Sequence, residues 1–121
     1  MSTYATVGRL QPYRIWDGVI ARPLHGDRIT VGILEFEPLT HVPEHRHDNE
    51  QLGLVLKGSI TMVIDGERRE LHVGDMYSIR GGVPHSGEAG PEGATVADVF
   101  APVRADWNDT PRLSVAQGHW P

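Results

Sequence analysis

The chain has 121 residues, no cysteine and a formal net charge of −5, which suits one domain with a real core and excludes thiol redox chemistry and thiolate metal sites. The acidic balance without a basic run argues against nucleic acid as a partner. No apolar stretch is long enough to cross a bilayer, and the opening residues lack the basic-then-apolar order of a signal peptide, so a cytoplasmic protein is expected.

The 14 glycines and 9 prolines are spread at short intervals, as in a chain of many short strands joined by turns. Residues 1–14 carry no period, and Gln11-Pro12 interrupts any helix, so an arm or a first edge strand is expected there. Val19 to Leu24 reads as a short strand closed by His25-Gly26-Asp27, and Ile29 to Glu37 as a core strand stopped by Pro38.

Pro43 to Ser59 reads as one extended segment, in which His45, His47 and Gln51 share a face because side chains alternate across a strand. Two imidazoles and a carboxamide oxygen on one face are what a strand-built divalent-metal site needs. Glu50 is the rival donor, but its parity is opposite; His41 has the right parity, but Pro43 intervenes. Farther along, Gln51, Gly53, Val55 and Lys57 are expected to face the barrel interior, and Leu52, Leu54 and Leu56 to face outward. Outward leucines want cover, so a homodimer that buries them is expected, with the chain's own N-terminal arm as the alternative cover.

Gly58-Ser59 reads as a turn, Ser59 to Ile64 as a returning strand, and Asp65-Gly66 as a type I′ hairpin turn into Glu67 to Leu71. After a turn at Gly74-Asp75, Met76 to Ile79 is a short strand, and Gly81-Gly82-Val83-Pro84 is a tight bend that presents His85 as a third imidazole. Residues 87–94 read as a surface loop and Thr95 to Phe100 as the last strand. Asp98 and Phe100 share a face and Arg104 follows. A carboxyl group, a ring and a guanidinium on one wall suit a sugar acid: Arg104 pairs bidentately with its carboxylate, Phe100 packs on its ring and Asp98 moves protons. The tail after residue 105 has no usable period and either wraps the surface or is partly disordered.

The pattern is all-β, and two histidine-bearing segments on separate strands fit a small jelly-roll barrel with room for one ligand. Three neutral imidazoles and a neutral amide would leave one divalent metal ion its full charge; zinc, nickel, manganese or iron would accept such a set.

The spacing of His45, His47, Gln51 and Gly58, followed by Gly74, Gly82 and His85, resembles the two motifs of the cupin superfamily across roughly residues 29–104. Gln51 stands where the family usually has Glu, and Arg80 where it usually has Pro. This implies a single cupin domain over residues 1–121, with an arm at 1–14 and a tail at 105–121. The runs VPEHRHDNEQLGLVLKG, GGVPHS and DVFAPVRADW look more specifically like the pectin-degradation cupins of the KdgF family. That resemblance implies a divalent metal on His45, His47, His85 and Gln51, a catalytic set of Asp98, Phe100 and Arg104, and opening of the ring of 4,5-unsaturated monouronates to the linear 4-deoxy-5-keto acid. Asp48-Asn49 departs from the Pro-His common in relatives and bears on substrate choice. The rivals are a cupin dioxygenase, against which Gln51 counts, and a non-catalytic cupin that binds a metal or small metabolite. Asp98 and Arg104 facing the ligand would separate an enzyme from a binder.

Overall fold

The computed structural model describes residues 3–121, so the first two residues of the expected arm lie outside the described residues. Two long strands carry the architecture. β5 (Glu50–Ile64) and β8 (His85–Ala101) pair antiparallel from Glu50 opposite Ala101 to Ile64 opposite His85. Register shifts between Val55 and Lys57 and between Gly58 and Ile60 bend this ribbon, and a bulge both kinks a strand and sharpens its twist. Each arm of the ribbon then collects its own neighbours.

On one arm β8 pairs with β3 (Thr30–Phe36), which continues through β2 (Val19–His25) to β1 (Tyr13–Trp16), while β5 pairs with β7 (Met76–Ile79). On the other arm β8 pairs with β4 (His41–His45), and β5 with β6 (Glu67–His72) through the Asp65-Gly66 turn, both residues at positive φ. Val19, Leu34, Val42, Val55, Ile60, Ile79, Val96 and Phe100 are buried between these layers. The result is an all-β jelly-roll barrel.

Several sequence expectations need correction. Pro43 to Ser59 is not one extended segment: β4 ends at His45, residues 46–49 form a bend, and β5 begins at Glu50. The break exists because β4 and the start of β5 belong to different arms of the ribbon. Gly58-Ser59 is not a turn but part of β5, with Gly58 at φ 71° in the bulged region. The same bulge rotates Lys57 to the exposed face. Residues 87–94 are not a surface loop; they lie within β8, where Gly87, Ala89 and Ala94 are buried. The Gly-Pro-Glu-Gly signal marks an irregular stretch of a continuous strand, since Ile60 opposes Ala89 while Gly58 opposes Ala94.

The tail wraps the surface. Pro111 and Leu113 bond to the β1 edge at Arg14 and Pro12. Beyond them, the tail covers a buried ion pair on β2 and β3, Arg22 Nε to Glu35 Oε2 at 2.9 Å. Arg22 also donates to the Leu10 and Gln117 carbonyls, and Glu35 accepts from the His119 backbone N–H. An unpaired charge at either position would be strongly destabilising, so the tail is tied to the barrel. The expected outward leucines keep part of their exposure: Leu52 is 50% and Leu56 37% exposed, and β1, which follows the arm, pairs with β2.

One row of the sheet decides the site. Tyr77, Gly53 and Asp98 sit side by side on β7, β5 and β8. The Tyr77 ring lies across the empty face of Gly53, where a methyl group would run into the ring and into Asp98 Oδ1. Gly53→Ala is therefore expected to lower stability by about 1–3 kcal/mol through overpacking. A thermal melt within 1 °C of the parent, on the order of the smallest shift this size of domain resolves, would refute the packing account.

Candidate metal centre

Two strand ends and a bend bring the imidazoles together. His45 closes β4 directly opposite His85, which opens β8, and their rings are 4.3 Å apart. His47 sits in the bend, 4.8 Å from the His85 ring. The bend is held from two sides: Gly82 N–H donates to the His47 carbonyl at 2.8 Å, and Asn49 Nδ2 donates to the Pro102 carbonyl at 2.5 Å. Gln51 follows on β5, 7% exposed and facing inward as its parity requires.

Each ring has Nδ1 against a backbone carbonyl: His45 on Pro43 at 2.9 Å, His47 on Asn49 at 3.0 Å and His85 on Val83 at 2.8 Å. A carbonyl only accepts, so the network assigns the proton to Nδ1 in each ring and leaves Nε2 as a lone pair. Gln51 Nε2 donates to Asp98 Oδ2 at 3.1 Å, which turns Oε1 toward the histidines, 3.1 Å from His47 Nε2. Two lone pairs at that distance repel unless a cation lies between them. One ring nitrogen from each of the three histidines falls within 4.8 Å of the others, and a divalent ion fits this donor set of three nitrogens and an amide oxygen. Burial pushes the His85 imidazole down to about 4, against the Val83 carbonyl, and lowers His47 too, with Arg104 adding to the shift. Both rings are therefore neutral, as ligands must be.

Glu50 is exposed, and His41 is exposed and turned toward Glu88 at 3.8 Å; neither joins the cluster.

Behind Gln51 lies Asp98, 2% exposed. Its Oδ1 accepts from the Tyr77 hydroxyl at 2.5 Å. Burial pushes the Asp98 carboxyl up to about 7, while the bonds from Tyr77 and Gln51 and the charge of Arg104 act in the opposite direction. Burial also raises Tyr77 well above an ordinary phenol, with Asp98 adding to the shift, so Tyr77 is the donor of that pair.

Arg104 leaves the end of β8 with its guanidinium between two aromatic faces, 4.7 Å from the Phe100 centroid and 4.8 Å from that of Trp107. Asp106 takes its side-on edge, with Nε to Oδ1 at 3.0 Å and Nη2 to Oδ2 at 2.9 Å. That leaves the end-on edge of Arg104 without this partner. Sequence reasoning missed Tyr77, Trp107 and Asp106. Gly53, a lone glycine inside a strand pattern, was the available signal that another group approaches closely there.

The three histidines, Gln51, Tyr77, Asp98, Phe100, Arg104 and Trp107 all line one cavity, which apolar residues complete, with Trp16, Leu34, Phe36, Val42 and Met62. Residues 32–100 match the family described as the cupin domain. The chain belongs to the cupin family. Within it, the chain resembles the pectin degradation protein KdgF of Dickeya dadantii, with 39% identity over 52% of this chain and 58% of that one. It also resembles the dimethylsulfoniopropionate lyase DddW of Ruegeria pomeroyi, with 34% identity over 82% of this chain and 63% of that one. The chain thus spans less than two thirds of either curated relative. The solved structure of KdgF from Halomonas sp. superposes with a TM-score of 0.80 at 21% identity, covering 88% of this cupin and 98% of that chain, which bears on the fold. Among the described residues no helix is long and apolar enough to cross a membrane.

Zinc-loaded cupin is expected to carry about one ion per chain. His85→Ala should weaken zinc binding by at least the roughly 10- to 100-fold that loss of a supporting partner costs, whereas His41→Ala should leave it unchanged. Competition titration with a zinc-binding dye measures both, and equal losses in the two variants would refute the assignment of His85.

Proposed function

We propose that this cupin is a metal-dependent enzyme that opens the ring of 4,5-unsaturated monouronates to the linear 4-deoxy-5-keto acid. The observation that carries the reading is that Asp98 and Arg104 line the same cavity as His45, His47, His85 and Gln51. A merely metal-holding cupin has no need of a buried carboxyl group and a clamped guanidinium on one wall. The resemblance to a pectin degradation protein supports the substrate class.

His45, His47, His85 and Gln51 would hold the metal, which when bound supplies Lewis-acid polarisation of substrate oxygens. Arg104 binds the uronate carboxylate through its end-on edge. The rings of Phe100 and Trp107 and the carboxylate of Asp106 keep the guanidinium from swinging, so little ordering is left to occur on binding. Phe100 packs on the sugar ring. Asp98 takes and returns the proton that ring opening moves, and the apolar wall excludes competing water.

The breadth of the match to the Ruegeria relative favours a second reading, lyase action on dimethylsulfoniopropionate, another small carboxylate. We also propose that the cupin is a homodimer. Val31, Val99 and Leu52 are neighbours across three strands, and with Leu56 and Met76 they leave an exposed apolar face on the outside of the sheet.

Two measurements follow. Metal-loaded cupin given unsaturated galacturonate should consume the ring form, followed by NMR, faster than it opens spontaneously. Asp98→Ala should cost about 100-fold or more in kcat, and Arg104→Ala about 10- to 100-fold, mainly in KM. No acceleration at full metal occupancy would reject ring opening, and consumption of dimethylsulfoniopropionate in the same assay would select the second reading. In light scattering the parent should have the mass of two chains and Leu52→Glu that of one; a parent with the mass of one chain would reject the dimer.

A further inference from the structure

We infer that the Tyr77 hydroxyl is a catalytic proton relay between the substrate and Asp98. The inference rests on the ring-opening reading and names a residue that neither the resemblance nor the comparisons assign. The reaction has to remove the proton of the anomeric hydroxyl and deliver one proton to C4. Both oxygens of Asp98 are already engaged, Oδ2 by the Gln51 amide and Oδ1 by Tyr77, and the residue is 2% exposed. The two partners differ in what they can do. An amide N–H donates a hydrogen bond but does not give up its proton at neutral pH, whereas a phenol hydroxyl both donates and accepts. Tyr77 lines the cavity and holds its hydroxyl 2.5 Å from the carboxylate, so a proton can pass through it from the cavity to Asp98.

The surroundings are built for that reach. Tyr77 and Asp98 lie on strands separated by β5, and only a residue without a side chain at position 53 lets the ring cross between them. A tyrosine needed only as filler could pack over a strand bearing an ordinary side chain.

The steps balance. The anomeric O–H proton passes to the Tyr77 oxygen as the Tyr77 proton passes to Asp98 Oδ1. The bond between C1 and the ring oxygen breaks, its electron pair stays on the ring oxygen, and C1=O forms. The enolate oxygen on C5 then forms C5=O, the C4=C5 pair takes a proton from Tyr77 to make C4–H, and Asp98 returns its proton to Tyr77. The product is an isomer of the substrate, with no proton gained or lost and no oxidant required.

The test uses full-length, metal-loaded cupin with unsaturated galacturonate as substrate and saturated galacturonate as a non-reacting ligand. Tyr77→Phe keeps the ring over Gly53 and removes only the hydroxyl. It should lower kcat by about 100-fold or more while metal content and affinity for saturated galacturonate stay within about twofold. A kcat within tenfold of the parent would overturn the relay and leave ring opening standing. A parent that does not accelerate the reaction would overturn both. As a check independent of any variant's folding, the parent's rate in mixed light and heavy water should fall along a bowed curve, the mark of two protons in flight; a straight line would overturn the relay.

Discussion

The site depends on a carboxyl group buried where no cation touches it. Asp98 is 2% exposed, and Arg104, whose charge favours the ionised form of Asp98, gives its side-on edge to Asp106 instead. Removing a carboxylate from water costs several kcal/mol unless hydrogen bonds replace the lost solvent. Tyr77 and Gln51 supply those bonds, and each is positioned by doing so. With its Nε2 donating to Asp98, the Gln51 amide shows its oxygen to the histidines. The polarity of the metal-facing cluster is thus set one residue behind it.

The three histidines repeat the device with backbone partners. Carbonyls of Pro43, Asn49 and Val83 take the Nδ1 protons, and the rings present lone pairs to one another. Without a cation, the cluster is a concentration of acceptors with no donor, a local conflict of the sort that native sequences retain at functional sites. Asn49 joins the two halves of the site, since its carbonyl holds His47 while its side-chain amide holds the Pro102 carbonyl ahead of Arg104. Asn49 therefore ties the imidazole cluster to the segment that carries Arg104.

Much of this was legible in the sequence, and the parts that were not share a cause. Alternation correctly placed Gln51, Gly53 and Val55 inward, and Asp98 with Phe100, because each set lies on an unbroken stretch of strand. Alternation failed wherever one ribbon serves two sheets. The bulge after Val55 turned Lys57 outward, and the break after His45 means that His45, His47 and Gln51 converge through three different local structures rather than along one strand. Glycine and proline at residues 87–93 read as a loop because punctuation residues look alike whether they end a strand or kink it. Tyr77 and Trp107 were harder to read, since their roles arise from cross-strand register and from space left at Gly53 and Gly32, where a methyl group would lie 3.1 Å from the Trp107 ring, while Asp106 acts locally on Arg104 two residues away.

The cavity's asymmetry joins stability to chemistry. Its apolar wall is continuous with the core, so Leu34, Phe36, Val42 and Met62 contribute to folding whether or not a ligand is present. The polar lining comes from a few positions: His45 and His47, Gln51 on β5, Tyr77 on β7, His85 and Asp98 on β8, and Arg104 after it. This division keeps the cost of buried polarity local, and the same low-dielectric surroundings strengthen each interaction on the polar wall. A ligand with one anionic end and one less polar flank matches both walls at once.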